Sequence, residues 1–310
     1  MPLFTVVIPT YNRAGFIVET INSVLAQTDA DFEIVVVDDG STDDTQDIVA
    51  RAFGHADKVR YVRQANAERG AARNRGVREA RGQFVIFLDS DDLMRPEHLS
   101  TLRGIIEERP GVNYLATKYE FIRDGRVSSA GLEWIREGEY GTDFFLRGDP
   151  LGSVFCIRKD NPRLKLFEED RRYAISEDWM FLLQNLVEDR IFIKDKATML
   201  VNDHDLRSMR VDNRVVINRK LLALEWIKRN VPLDAKQTKI LEGHTHYFCA
   251  IHSYLDNSRG DAFRHIFRSM KRGGASPALG FLFVKTLLGR GFVQKVSGRS
   301  RRPGASAAAN

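Results

Sequence analysis

The sequence predicts an α/β fold: a mixed, mostly parallel sheet flanked by helices, followed by a helical C-terminal extension. Three observations lead there. Short β-branched runs alternate with segments of helical period through the first half of the 310 residues, each run ends in a polar cluster, and from Val215 onward helical periodicity dominates. The composition, 43% apolar and 29% charged, is that of a globular chain with any disorder confined to a segment. Its length suits one large core with a smaller appendage.

The strands of the first half are expected over residues 5–8, 33–37, 59–63 and 84–88. Between the first two, Ile17, Ile21, Val24 and Leu25 recur at spacings of three and four, so they line the sheet-facing side of a helix. Ser41 or Thr42 is expected to cap the next helix, with Asp43 and Asp44 in its first turn at the positive end of the dipole. Residues 70–81 read as a third helix. Past Pro96 another helix reaches about Glu108, and strands follow over 113–121 and 126–129 around an Asp124-Gly125 turn. Residues 131–150, rich in Gly, charge and aromatics, suit a flexible loop and a short helix beside a site. Strands are expected at 154–157 and 198–201, with a helix beginning near Glu177 between them. A boundary near Arg214 divides a principal domain, 1–214, from a helical region, 215–290, and a basic flexible tail, 291–310.

Cys156 and Cys249 lie far apart in apolar surroundings, with neither a disulfide framework nor metal-ligand spacing, which suggests a reducing compartment. The apolar run at 4–8 is interrupted by Pro9 and is too short for a signal peptide or a membrane span, so a cytoplasmic location is expected. The net charge of +5 is unevenly placed, because no acidic residue follows Asp261 while ten Lys and Arg do. That asymmetry suits an anionic partner for the tail, and the apolar residues at 279–288 with their basic flanks suit either docking on an anionic membrane or an ordinary core helix followed by a solvated basic tail.

In open parallel sheets ligands bind beyond the carboxyl ends of the strands, where this sequence concentrates its polar residues. Val36-Val37-Asp38-Asp39-Gly40-Ser41 sets two acids at a strand end, where a carboxylate can accept from a ring imide or cap a helix. Phe87-Leu88-Asp89-Ser90-Asp91-Asp92 sets three carboxylates at the tip of an apolar strand, where they repel unless donors or a cation offset them. A divalent ion held through oxygen is the simplest neutraliser, and a solvated acidic turn is the alternative. Ala72-Arg73-Asn74-Arg75-Gly76 offers arginines that can grip phosphate or simply face water. Ser176-Glu177-Asp178-Trp179 opens a helix with two acids, either of which can take a proton from a hydroxyl or merely favour the helix terminus. His204 is a candidate late metal ligand or an exposed loop residue.

Together with Val6-Val7-Ile8-Pro9-Thr10-Tyr11-Asn12-Arg13, and in this order across residues 4–210, these motifs closely resemble the family 2 glycosyltransferases of GT-A fold, of the bacterial cell-surface polysaccharide type. The resemblance implies a nucleotide-binding half at about 1–110 and an acceptor-binding half at about 111–214. Pro9, Thr10, Tyr11 and Arg13 would flank the nucleotide, Asp39 would pair with uracil, and Arg73 would lie near the diphosphate. By the same resemblance Ser90 belongs to the nucleotide-sugar site, and Asp89 sits at the ribose and the outer shell of a Mn²⁺ or Mg²⁺ ion, which Asp91 and His204 ligate. Asp178 is the implied catalytic base, with Glu177 its rival.

The implied reaction moves a sugar from a nucleotide-diphosphate donor, a UDP-sugar by preference, to a hydroxyl of a glycan or lipid-linked acceptor, inverting in one displacement. It would run in the cytoplasm or on the cytoplasmic face of the inner membrane. A sugar-nucleotide nucleotidyltransferase is the enzymatic rival, but its Gly-rich N-terminal phosphate loop is replaced by Ile8-Pro9-Thr10-Tyr11-Asn12. A nucleic-acid or anionic-surface binding protein is the other, yet the core lacks an aromatic-basic binding module, so no nucleic-acid partner is expected.

Overall fold

The computed structural model describes residues 1–204, 212–291 and 293. Most of the basic tail expected at 291–310 lies outside the described residues, as does Asp205. The chain forms two compact units, one of residues 1–145 and 149–203, the other of 146–148 and the chain from His204 onward.

The first unit opens with β1 (Phe4–Thr10), α1 (Ile17–Leu25), β2 (Phe32–Asp38), α2 (Thr45–Phe53), β3 (Val59–Arg63), α3 (Glu68–Glu79) and β4 (Phe84–Phe87). β1 pairs in parallel with both β2 and β4, and β2 with β3. Val6, Val7, Ile8, Val35, Val36 and Val37 are all fully buried, so both faces of these strands are covered and the runs read as continuously apolar. α3 lies so close to β1 that a Cβ on Gly76 would sit 2.1 Å from the Val7 side chain.

The unit continues with β5 (Leu93–Met94), α4 (His98–Glu108), β6 (Tyr114–Arg123), β7 (Arg126–Ser129), β8 (Gly138–Tyr140), α5 (Thr142–Phe145), β9 (Cys156–Arg158), α6 (Glu177–Asn185) and β10 (Ile191–Asn202). The sheet order is β3-β2-β1-β4-β9-β6-β10-β5, with β7 paired to β6 and β8 to β10. β9 is antiparallel to both β4 and β6 and so joins two parallel groups.

Three expectations need correction. The last strand begins seven residues before 198, because its register with β6 shifts between Ile193 and Ala197. Lys194 and Lys196 interrupt the apolar pattern there, and Lys118 pairs with Asp195 at 2.6 Å. The loop expected at 131–150 contains β8, which pairs with Ile191–Ile193. Ser41 and Thr42 do not cap α2; Ser41 Oγ accepts from Asn12 N at 3.0 Å, and Asp43 lies ahead of the helix, accepting from Thr45 N at 3.1 Å.

The second unit holds α7 (Asn213–Asn230), α8 (Ala235–Leu255), α9 (Arg259–Gly273) and α10 (Pro277–Leu288). Asp234 and Gln237 form a reciprocal capping box at the start of α8. Gly243 and Gly273 let α8 and α9 approach closely, since a Cβ on Gly243 would meet Gly273 Cα at 2.7 Å.

Candidate active site

The loops at the carboxyl ends of β1, β2 and β4 are tied together by short polar contacts. Asn12 takes a left-handed backbone, φ 52°, and its Oδ1 accepts from Thr42 N at 2.8 Å. Arg13 N donates to Thr45 Oγ1, while Arg13 Nε lies 3.5 Å from Asp91 Oδ2. Thr20 Oγ1 donates to Ser90 O, and Asn202 N at the end of β10 donates to Asp92 Oδ1. Pro9 and Thr10 are buried and Tyr11 is exposed on this rim.

Asp39 is almost wholly buried in a nest of neutral donors. Its Oδ1 accepts from Gln64 Nε2 and Ala67 N, and its Oδ2 from Glu68 N, each at 2.8 Å. Burial outweighs these donors and raises its pKa. Gly40, at φ +79°, turns the chain here against Asn66 N, which a Cβ would approach to 3.0 Å. The neighbouring Asp38 is fully buried and takes Ser41 N and the Tyr61 hydroxyl, so it braces the strand end.

A second carboxylate group gathers around Arg73, whose side chain is fully buried. Arg73 lies 2.8 Å from Asp89, 2.9 Å from Asp178 and 3.4 Å from Glu177, and Arg69 Nε is 3.2 Å from Glu177. The Phe167 ring lies 5.4 Å from the guanidinium carbon, and Phe167, Phe181 and Phe155 stack beneath. Arg73 is thus engaged by three carboxylates, whereas the resemblance implies a diphosphate beside it.

Two guanidiniums face three acids, so the full set of charges leaves an excess negative charge, and a retained proton relieves it. Burial is the largest influence on Asp178 and pushes its carboxyl up to about 8 against the pull of Arg73, with Glu177, Asp89 and Asp149 adding to the rise. Burial also opposes charge on Asp89, but Arg73, Arg69 and a hydrogen bond with Ser153 hold that carboxyl below its usual range. Glu177 is nearly closed to solvent, with 4% of its side chain exposed against 21% for Asp178. A solvent-borne hydroxyl therefore has better access to Asp178.

Arg69, Ser153 and Asp149 join this site without having been singled out in sequence. The nearest signal was Arg69 itself, one helical turn ahead of Arg73 on α3. Asn74 is a clamp: its amide holds Phe167 N and O and donates to Glu169 at 2.8 Å, which fixes the segment carrying the Phe167 ring.

Asp91 remains on the rim, with 15% of its side chain exposed. Among the described residues no three His, Cys, Asp or Glu side chains form a ready-made metal cage. One or two carboxylates completed by substrate phosphates is the usual way a protein holds Mg²⁺ or a similar hard ion, and the oxygen donors of this turn fit that chemistry. His204 belongs to the second unit.

The family model of Glycosyl transferase family 2 matches residues 5–159, half of the chain. An uncharacterized glycosyltransferase of Nostoc is 46% identical over 104 residues, 33% of this chain and 32% of that protein. The chain spans about a third or less of the length of the first curated relatives it matches. The GalNAc(5)-diNAcBac-PP-undecaprenol beta-1,3-glucosyltransferase of Campylobacter jejuni is 26% identical over 309 residues, 96% of this chain and 97% of that protein. Among solved structures, S. aureus TarS 1-349 in complex with UDP-GlcNAc superposes with a TM-score of 0.67 at 24% identity, covering 96% of this chain and 93% of that one, a likeness of fold.

Proposed function

The chain belongs to glycosyl transferase family 2, and from that premise we propose that it transfers a sugar from a UDP-sugar to a hydroxyl of a glycan or lipid-linked glycan, with inversion. The observation that carries this reading is the convergence of Asp89 and Asp178, from motifs far apart in sequence, on the single buried guanidinium of Arg73. A strand-end turn and a helix N-terminus are thereby held at one place, as a donor-binding group and a base must be.

In the proposed reaction the donor's base lies at Asp39, whose carboxylate has capacity for one more donor such as the uracil imide N–H. Pro9, Thr10, Tyr11 and Arg13 flank the nucleotide, and Asp89 and Ser90 lie at the ribose. The acceptor oxygen attacks the anomeric carbon as its proton passes to Asp178, the sugar–phosphate bond breaks, and the nucleoside diphosphate leaves from the opposite face. Arg73 and Arg69 hold Glu177 as a fixed like charge beside the base, which favours the proton on Asp178. Mn²⁺ or Mg²⁺ would be held by Asp91 together with the donor's phosphates, with Asp89 in its outer shell, and would supply stabilisation of the negative charge on the leaving diphosphate. His204 stands as a further ligand on the resemblance alone, and the reading does not rest on it.

The Campylobacter relative's name supports an acceptor linked to a polyprenyl diphosphate, and a reaction at the cytoplasmic face of the inner membrane belongs to the same proposal. The donor in the TarS complex supports a UDP-sugar. Incubation with UDP- and GDP-sugars, with and without Mn²⁺, tests the donor by thermal shift: a UDP-sugar with Mn²⁺ should raise the melting temperature, and Asp91→Ala should abolish the Mn²⁺-dependent part. A chain that instead made pyrophosphate from UTP and a sugar 1-phosphate would be a nucleotidyltransferase, and the proposal would be lost.

A further inference from the structure

The second unit presents a face that its own packing leaves unexplained. α10 is apolar along its length except for Lys285 and Thr286. Leu279 and Leu282 are buried in a small core with Ala250 of α8 and Ile266 of α9. The other side leaves Phe281, Val284, Leu287 and Leu288 at 62, 50, 56 and 46% exposure. On α9, Phe267 and Met270 are exposed too, and the Phe267 ring lies 6.2 Å from the partly buried Phe283 of α10, which borders the exposed side of that helix. A helix that packs on one side only ordinarily carries polar residues on the other, and a contiguous exposed apolar surface marks an interaction site.

Charge selects the occupant. After Asp261 the sequence has no acidic side chain; Arg264 pairs with Asp261 at 2.6 Å and Arg272 with Glu242 at 3.1 Å, and Arg268, Lys271 and Lys285 add further positive charge on these two helices. Lys285 Nζ sits 4.1 Å from the centre of the Phe281 ring, a cation at the border of the apolar face. In a two-fold pairing a second copy would bring the same cations against one another. No described helix is long and apolar enough to cross a membrane. Apolar side chains level with an acyl boundary, and long cationic stems reaching to headgroups, suit the surface of an anionic bilayer.

We propose that the exposed face of α9 and α10 docks on an anionic lipid bilayer, with Phe267, Met270, Phe281, Val284, Leu287 and Leu288 in the interface and the flanking Arg and Lys on the headgroups. This goes beyond the transfer reaction and stands whichever sugar is moved. Flotation of the full chain with vesicles of phosphatidylcholine alone, and of equal parts phosphatidylcholine and phosphatidylglycerol, tests it. Binding should be confined to the mixed vesicles and weaken with salt. The double variant Phe281→Ser, Leu288→Ser should bind about tenfold more weakly at unchanged melting temperature, and Phe267→Ser should weaken binding by a smaller factor. Failure of the native chain to float, or full binding by both serine variants, overturns the assignment. So does a dimer, seen by light scattering, that the double variant converts to monomer, because the occupant would then be a second copy.

Discussion

Asp39, buried just past the end of β2, and Asp178, partly exposed in the first turn of α6, both have carboxyls raised above their ordinary pKa, yet their surroundings differ in kind. Asp39 is held by an amide and two backbone N–H groups, dipoles that fix its direction. Asp178 sits in a set of full charges, three acids against Arg69 and Arg73. Neutral donors suit a group that must recognise a ligand without changing its protonation. A crowded set of charges, in which one proton is shared out, suits a group that must take a proton up.

The comparison breaks first on catalysis. If Asp178 is the base, Asp178→Asn should lower turnover by about 10²–10⁴ while leaving donor affinity nearly intact. Near-normal turnover in that variant, with loss in Glu177→Gln, would exchange the two roles. On the same grounds kcat/KM should rise with pH toward the value of about 8 to which Asp178 is pushed, and a profile flat from pH 6 to pH 9 would exclude it (about three units, ample to resolve one ionisation).

Next in size is the buried guanidinium. Arg73→Met leaves three acids without their main counter-charge and should cost about 3–5 kcal/mol in urea unfolding. Arg73→Lys, which keeps the charge but not the fork, should fall between it and the native chain. A loss near zero for Arg73→Met would mean that the acids relax into water and that the cluster is no constraint on Asp178.

Asp39→Asn is a milder test. It retains shape but sets an amide N–H against existing donors, so donor affinity should fall by about tenfold with turnover of bound donor unchanged. Isothermal titration with the UDP-sugar separates that from a fall in turnover, which would make Asp39 part of the chemistry.

A last test concerns the pH dependence of stability. A carboxyl raised from 3.8 to about 8 keeps its proton in the folded chain where the unfolded chain has lost it. The folded state therefore binds more protons through that window, and stability falls as pH rises from about 4 to about 8. Asp178→Asn should flatten this slope and melt higher than the native chain at pH 9. Asp39→Asn should flatten it less, because neutral donors offset part of its burial.

Periodicity alone located the first four strands within a few residues, because Val6–Ile8 and Ile34–Val37 are buried on both faces and carry no polar interruption. It failed where sequence period and burial part company. The first half of β10 was hidden by Lys194, Asp195 and Lys196 at the register shift, and β8 by a Gly-rich segment that becomes a strand only when Ile191–Ile193 pairs with it. The acids at Asp39, Asp89, Asp91, Glu177 and Asp178 were all legible as motifs. Their partners were not, since Arg73 and Glu177 stand 104 residues apart and no local pattern encodes that contact.

Residue order by itself determined which side chains carry charge at the strand ends and which helices are apolar, because both follow from short-range spacing. Only the folded chain decided that Arg73 faces carboxylates, that Glu177 is closed off while Asp178 is not, and that one side of α10 stays uncovered. Each of these depends on long-range packing, and burial, which sets the strength of every charge interaction, exists only once that packing has formed.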